Sequence, residues 1–385
     1  MYNCTSMNTK FYLNVVGLVF ISLMVYSCTG NKKLQKGDYE TALERSITKL
    51  KKSPDNAKAL KTLNQAYNLE VKIRMEEVYR FKNGTDIYKW EKIVSHYKKL
   101  NSFYDDIQRC PACLKVIPDP NRYVTDLDDA LNRAANVRYD IGVNLLTTNS
   151  LQDAQEAFRN FLIAKSYVNS YKDIDQQLKL AKEAGTLRVV MEHIPMYSRS
   201  MQLSTLFFEN QIHEYLTSLN YEFVRFYTPE QVRTYNVTPH EYIQIQFDDF
   251  VVGQTSLYEK EKMVTRDSVV LGTDKEKKNV YGTVKATLHT FTKTMTSTGV
   301  IDMRIVDAKS NSVLSQNKLG GTYVWETHWG WFTGDERALS SEELDCVRQR
   351  EAFPPPPQQL FIEFTKPIFS QVTARVISQY KRYRL

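Results

Sequence analysis

QLKLAKEAGTLRVVM, residues 177–191, decides how the chain divides. Up to Ala184 the apolar residues keep helical spacing. After Gly185-Thr186 that spacing gives way to Leu187-Arg188-Val189-Val190-Met191, a run with the β-branched composition of a strand. Working outward, residues 37–186 read as helical and residues 187–385 as mixed strand and helix. The chain has 385 residues, 42% hydrophobic and 25% charged. With 24 Tyr and 18 Phe it has aromatic surface to bury, which favours packed cores over disorder. The net charge of +7 is dispersed and no nucleic-acid-binding motif accompanies it, so no nucleic-acid partner is expected.

In the helical part, GDYETALERSITKLKKSPDNAKALKTLNQAY runs from Gly37 to Tyr67. Gly37, Tyr39 and Ala42 take the small and aromatic positions at a helix start. Pro54 stops that helix because it cannot donate a backbone hydrogen bond. Ala59, Leu60, Leu63 and Tyr67 line the next helix. Ile141, Gly142, Leu145, Leu151, Ala154 and Phe158 repeat the spacing. Between them, Trp90, Ile93, Val94, Tyr97, Leu100, Tyr104 and Ile107 mark a buried helical face. These motifs resemble the tetratricopeptide repeat, a helix–turn–helix unit of about 34 residues. The resemblance implies an all-α helical-repeat module over 37–186 with a concave surface for a protein partner.

Beyond it the pattern predicts strands at Leu187–Ile194, Glu222–Tyr227, Tyr242–Val252, Val280–Phe291, Gly299–Asp307 and Ser312–Trp325. A helix is expected over Met201–Leu219, with Leu203, Leu206, Phe207, Ile212, Tyr215, Leu216 and Leu219 on one face. A last helix, Phe361–Tyr380, carries Ile368, Val372, Val376 and Tyr380. The expected fold is multidomain: the helical-repeat module, then an α+β domain over 187–385 with a mostly antiparallel sheet. In element order alone, this domain resembles envelope domains such as that of the curli secretion channel lipoprotein.

The N-terminus states a location. FYLNVVGLVFISLMVYS, residues 11–27, is apolar and uncharged; it follows Lys10 and ends on a small residue, as a secretory signal does. Val25-Tyr26-Ser27-Cys28 resembles the lipobox of bacterial, Bacteroidetes-type lipoproteins. That resemblance implies a signal peptide over 1–27, acylation of Cys28 and a short tether over 28–36. Lys32 and Lys33 stand where a surface-export signal would be acidic, so a lipid anchor in the outer membrane, facing the periplasm, is expected.

Chemistry is sparse. Cys110-Pro-Ala-Cys113 has the spacing of a redox pair or half a zinc site. The helix-then-loop context favours a local disulfide or two idle thiols, and no second cysteine pair completes a zinc site. His240-Glu241-Tyr242-Ile243-Gln244 begins like a zinc-protease motif, but Gln244 replaces the second histidine. Asp248 and Asp249 lie in a strand, where successive side chains face opposite ways. No enzyme, metal or cofactor is expected.

TYVWETHWGWFTGDERAL, residues 322–339, holds three of the four tryptophans. Trp325, Trp329, Trp331, Phe332 and Arg337 are the candidate partner-binding residues, because clustered Trp and Arg mark interface hot spots. A strand end and loop folding back on the core is the plainer reading. The expected function is a membrane-anchored, non-enzymatic scaffold or adaptor for envelope proteins in assembly or secretion. The alternative is a glycan- or peptide-binding lipoprotein that uses segment 322–339.

Overall fold

The computed structural model describes residues 29–195 and 198–383. Cys28 and the signal segment 1–27 lie outside the described residues. The chain separates into two compact units, divided between Gly185 and Thr186.

The first unit is helical. Its helices are α1 (Thr29–Gln35), α2 (Tyr39–Lys52), α3 (Ala57–Lys82), α4 (Lys89–Gln108), the single turn α5 (Pro111–Leu114), α6 (Val124–Leu146), α7 (Leu151–Tyr167) and α8 (Ile174–Gly185). Local chemistry sets their ends. Asp38 accepts from Thr41 N and caps α2. Asn56 accepts from Ala59 N at 2.9 Å and caps α3, just past Pro54. Ser150 caps α7 through Asp153 N. The stripe predicted on α4 is buried at Ile93, Val94, Tyr97, Leu100 and Ile107, joined by Phe103.

The repeat expected over 37–186 is corrected. A repeat of about 34 residues needs paired helices of matching length. Here α2 has 14 residues, α3 has 26, α4 has 20 and α6 has 23, and no such period runs through them. The Gly37–Tyr67 pattern describes the local α2–α3 hairpin. Gly142 serves a close approach of α6 to α7, since a Cβ there would sit 2.6 Å from the Phe161 ring.

The second unit contains β1 (Leu187–Met191), α9 (Gln202–Ser218), β2 (Val224–Tyr227), α10 (Pro229–Tyr235), β3 (Glu241–Thr273), β4 (Asn279–Asp307), β5 (Val313–Gly334), α11 (Ser341–Arg348) and α12 (Pro357–Tyr380). The strand order is β2-β1-β3-β4-β5. The sheet is mixed, which corrects the mostly antiparallel expectation: β1 is parallel to both β2 and β3, and only β3–β4–β5 is antiparallel. The reason lies in the connections. Helices α9 and α10 each carry the chain across before the next strand, and such crossovers produce parallel neighbours.

At the base of the sheet, Ile243, Ile245, Phe247, Ile301, Met303 and Ile305 point to one face and are buried. Helix α12 lies over this face with Leu360, Phe361, Phe364, Ile368, Val372 and Val376. The predicted α9 face is wrong in part. Leu203, Leu206 and Phe207 are exposed, while Phe208, Ile212 and Leu216 are buried.

Strands β3, β4 and β5 run far past this core, with 33, 29 and 22 residues. Typical strands have about 5–6. Val280–Phe291 and Gly299–Asp307, expected as two strands, are one, and the segment 253–273 is strand throughout. The result is a three-stranded ribbon that narrows to a β3–β4 hairpin beyond Ala286 and Gly334.

Candidate functional site

The aromatic face of β5 is built by strand alternation. Odd-numbered residues of β4 and β5 point to the face that α12 covers at the base; even-numbered residues point to the other. Met295 pairs with Trp325, Phe291 with Trp329 and His289 with Trp331. The three tryptophans therefore share one face. Trp329 stacks on Phe291, with ring centroids 5.4 Å apart and planes 11° apart. Trp331 stacks on His289 at 4.0 Å and 8°. Trp331 is 46% exposed, and Trp325 and Trp329 are half-buried. Charged groups rim the row: Glu259 pairs with His289 at 3.2 Å, and Lys293 with Glu351 at 2.5 Å.

The other two candidate residues lie elsewhere. Phe332 points to the opposite face. There it packs into a small satellite core of Val284, Ala286, Leu288, Ala338 and Leu339, completed by Leu344 and Val347 of α11. Arg337 pairs with Asp335 at 2.6 Å and donates to Val270 O at 2.6 Å, tying the chain after β5 to β3. Both residues build the ribbon rather than the exposed row.

Cys110 and Cys113 are joined by a disulfide at the N-terminus of α5. Cys110 Sγ also accepts from Cys113 N. Cys346 is a half-buried free thiol. Among the described residues no group of three or more His, Cys, Asp or Glu side chains could hold a metal ion, and no helix is long and apolar enough to cross a membrane. His240 Nδ1 accepts from Arg188 N at 3.0 Å. Glu241 is buried and accepts from the Tyr380 hydroxyl at 2.8 Å. Burial raises the carboxyl of Glu241, and burial together with that carboxyl raises the Tyr380 hydroxyl. Asp248 pairs with Lys318. A bulge between Phe247 and Asp249 breaks the alternation there.

One cluster escaped the sequence reading. After β1, His193 bridges two carboxylates: Nδ1 lies 2.7 Å from Glu209 of α9 and Nε2 2.8 Å from Glu230 of α10. Glu209 also accepts from Ile194 N at 2.8 Å. His213 lies 3.8 Å from Glu209. A cleft of about 190 Å³ opens beside it, lined by Glu192, Pro195, Gln244, Asp302 and Arg304. No local motif could reveal this, because the partners stand 16 and 37 residues from His193.

Hydrogen bonding to Glu209, and less so to Glu230, raises the His193 imidazole. The Glu230 backbone N–H, the Thr228 hydroxyl and His193 bring the Glu230 carboxyl down to about 2. Burial lowers His213. A raised histidine contributes stability that is full below its unfolded value of about 6.5 and is lost as pH rises through its folded value. His213 opposes this, so the contribution must be isolated by difference. The Tm advantage of the wild type over His193→Gln is expected to be largest below about pH 6 and to shrink toward pH 9. Thermal melts of both proteins across that range check it, and a gap independent of pH would remove the bridge from the account.

No protein-family model and no curated protein sequence matches the chain. Among solved structures, it is similar to a hypothetical protein of Chlamydia trachomatis, at 11% identity over 50% of this chain and 95% of that one, with a TM-score of 0.24. A neuraminyllactose-binding hemagglutinin homolog from Helicobacter pylori is similar at 8% identity over 51% of this chain and 91% of that one, TM-score 0.24. The MamA protein is similar at 21% identity over 42% of this chain and 81% of that one, TM-score 0.13. At such scores these likenesses carry no inference about fold or function, and none establishes a repeat in the helical unit.

Proposed function

We propose that this protein is a non-enzymatic scaffold or adaptor of a bacterial cell envelope. Acylated Cys28 ties it to the outer membrane on the periplasmic side, and the aromatic face of β5 contacts protein. One observation carries the reading: Trp325, Trp329 and Trp331 form a single row on one face of the ribbon, and Trp331 is 46% exposed. Rigid aromatic rings on a paired strand lose little side-chain entropy on binding, which is why such rows concentrate interface energy. A flat sugar platform is a poorer fit, because Phe291 and His289 already occupy one face of Trp329 and Trp331.

The test is photo-crosslinking in cells from position 327, within the row between Trp325 and Trp329. A defined envelope-protein adduct is expected. Trp329→Ala with Trp331→Ala should reduce it about tenfold or more. Cys28→Ser should release the protein from the membrane fraction. An adduct unaffected by the double substitution, or a tryptophan fluorescence shift caused by glycan alone, would overturn the reading.

A further inference from the structure

The chain between α11 and α12 is a strap around the ribbon. Val347, near the end of α11, packs with Phe332 on one face. Four residues later Glu351 pairs with Lys293 at 2.5 Å on the tryptophan face. Lys293 is the cross-strand partner of Thr327, so the strap rounds the outer edge of β5 there. It then enters α12, where Leu360 is buried. Between these fixed ends the sequence is Arg350-Glu351-Ala352-Phe353-Pro354-Pro355-Pro356-Pro357.

Covalent chemistry gives the second half of the strap one conformation. Each proline holds its φ near −65°. Phe353, Pro354, Pro355 and Pro356 each precede a proline, which keeps them out of the helical region. The result is polyproline II, and Pro356 shows it with φ −62° and ψ 152°. That helix has three residues per turn, so positions 353 and 356 share one edge. Exposure follows the same period: Phe353 and Pro356 are exposed, whereas Pro354 and Pro355 are half-buried. Phe353 is 96% exposed, the highest value of any large apolar side chain among the described residues. Three residues earlier, Arg350 is also exposed and has no ion-pair partner among the described residues. Residues 350–355 enter no backbone hydrogen bond, and the prolines have no N–H to offer, so the strap does not serve as another strand. A stiff connector accounts for the prolines. It leaves Phe353 without a duty inside the chain.

We propose that Phe353–Pro356 is a ligand segment, read by another protein through a groove walled by Trp or Tyr rings with an acidic group at one end. Such grooves suit polyproline II because flat rings pack between the proline ridges, while indole N–H and phenol O–H groups donate to the unpaired carbonyls. The strap is held by the Glu351 ion pair at one end and by α12 at the other, so binding costs little chain entropy. Arg350, one three-residue step before Phe353, meets the acidic group and fixes the direction in which the segment lies. The proposal goes beyond the β5 contact face and does not rest on it.

The test places photoreactive benzoylphenylalanine, which keeps the aromatic ring, at position 353 of the full chain in cells. One defined adduct to another protein is expected, mapped by mass spectrometry to a surface lined with Trp or Tyr. Pro354→Ala with Pro355→Ala and, separately, Arg350→Glu should each lower its yield about tenfold. The Arg350→Glu chain should unfold in urea at the wild-type midpoint, which separates lost recognition from lost fold. No adduct from position 353, an adduct only to lipid or to a second copy of this chain, or one unaffected by the proline substitutions would overturn the proposal. An adduct lost with Trp329→Ala and Trp331→Ala but kept in both strap variants belongs to the β5 face, and overturns it as well.

Discussion

Replacing Phe361 by alanine is expected to destabilise the second unit by about 3–5 kcal/mol. Phe361 is fully buried and sits where α12 meets the sheet. Its ring centroid lies 5.0 Å from that of Phe364, 5.5 Å from Phe247 and 5.7 Å from Phe250. Truncation removes the transfer energy of a large apolar side chain. It also leaves a cavity walled by rigid rings on a helix and a paired strand, which collapse poorly. The edge-to-face arrangement with Phe250, at 89°, adds a contribution beyond area. Phe353→Ala serves as the control, since Phe353 is 96% exposed and its loss should fall within about 0.5 kcal/mol. Urea unfolding followed by tryptophan fluorescence reads this unit selectively, because three of the four tryptophans lie on β5. A cost below about 1 kcal/mol would mean that α12 is not seated on the sheet as described.

How much of this was legible depends on distance along the chain. Helix α12 could be read because its stripe is local: Ile368, Val372, Val376 and Tyr380 recur every four residues and are all buried. The division at Gly185 was legible for the same reason. The distal half of β3 was not. QTSLYEKEKMVTRDS, residues 254–268, has no two-residue apolar alternation, because both of its faces are largely solvated. It is a strand because β4 offers it a ladder, and that is a tertiary fact. The α9 face was misread because Leu203, Leu206 and Phe207 form as good a stripe in sequence as the buried residues do. Parallel pairing of β1 was invisible, since composition does not say where a crossover returns. The repeat reading failed because Gly37, Tyr39 and Ala42 specify one hairpin, whereas a repeat is a statement about all the helix lengths. In the candidate site, the tryptophans were legible as a cluster. That they share one face, while Phe332 turns away into another core, follows only once the strand is known to continue to Gly334.

Gly321→Ala is expected to cost about 3 kcal/mol, the upper end for overpacking, while Gly320→Ala next to it is expected to be neutral or slightly stabilising. The two glycines differ in what a Cβ would meet. At Gly321 it would lie 2.2 Å from the Phe364 carbonyl oxygen, 2.9 Å from Ile368 and 3.0 Å from Pro367. The first is backbone of α12 and cannot rotate away, so the helix itself must lift. Gly299 is the cross-strand partner of Gly321 and faces the same helix, with a Cβ position 2.6 Å from the Phe364 ring. Together the two glycines form the trough in which α12 lies. At Gly320 the nearest atoms are 3.7 Å away, which is ordinary contact, and the residue is exposed. There the added methyl mainly restricts the unfolded chain. Denaturation of the two single variants, one residue apart and chemically identical, separates trough from strand propensity. Equal costs would mean that the pairing of β5, not the seating of α12, is what these glycines serve. The distinction matters for the ribbon. Where α12 rests fixes where its cover ends, and Trp325 lies four residues beyond Gly321 on the same face.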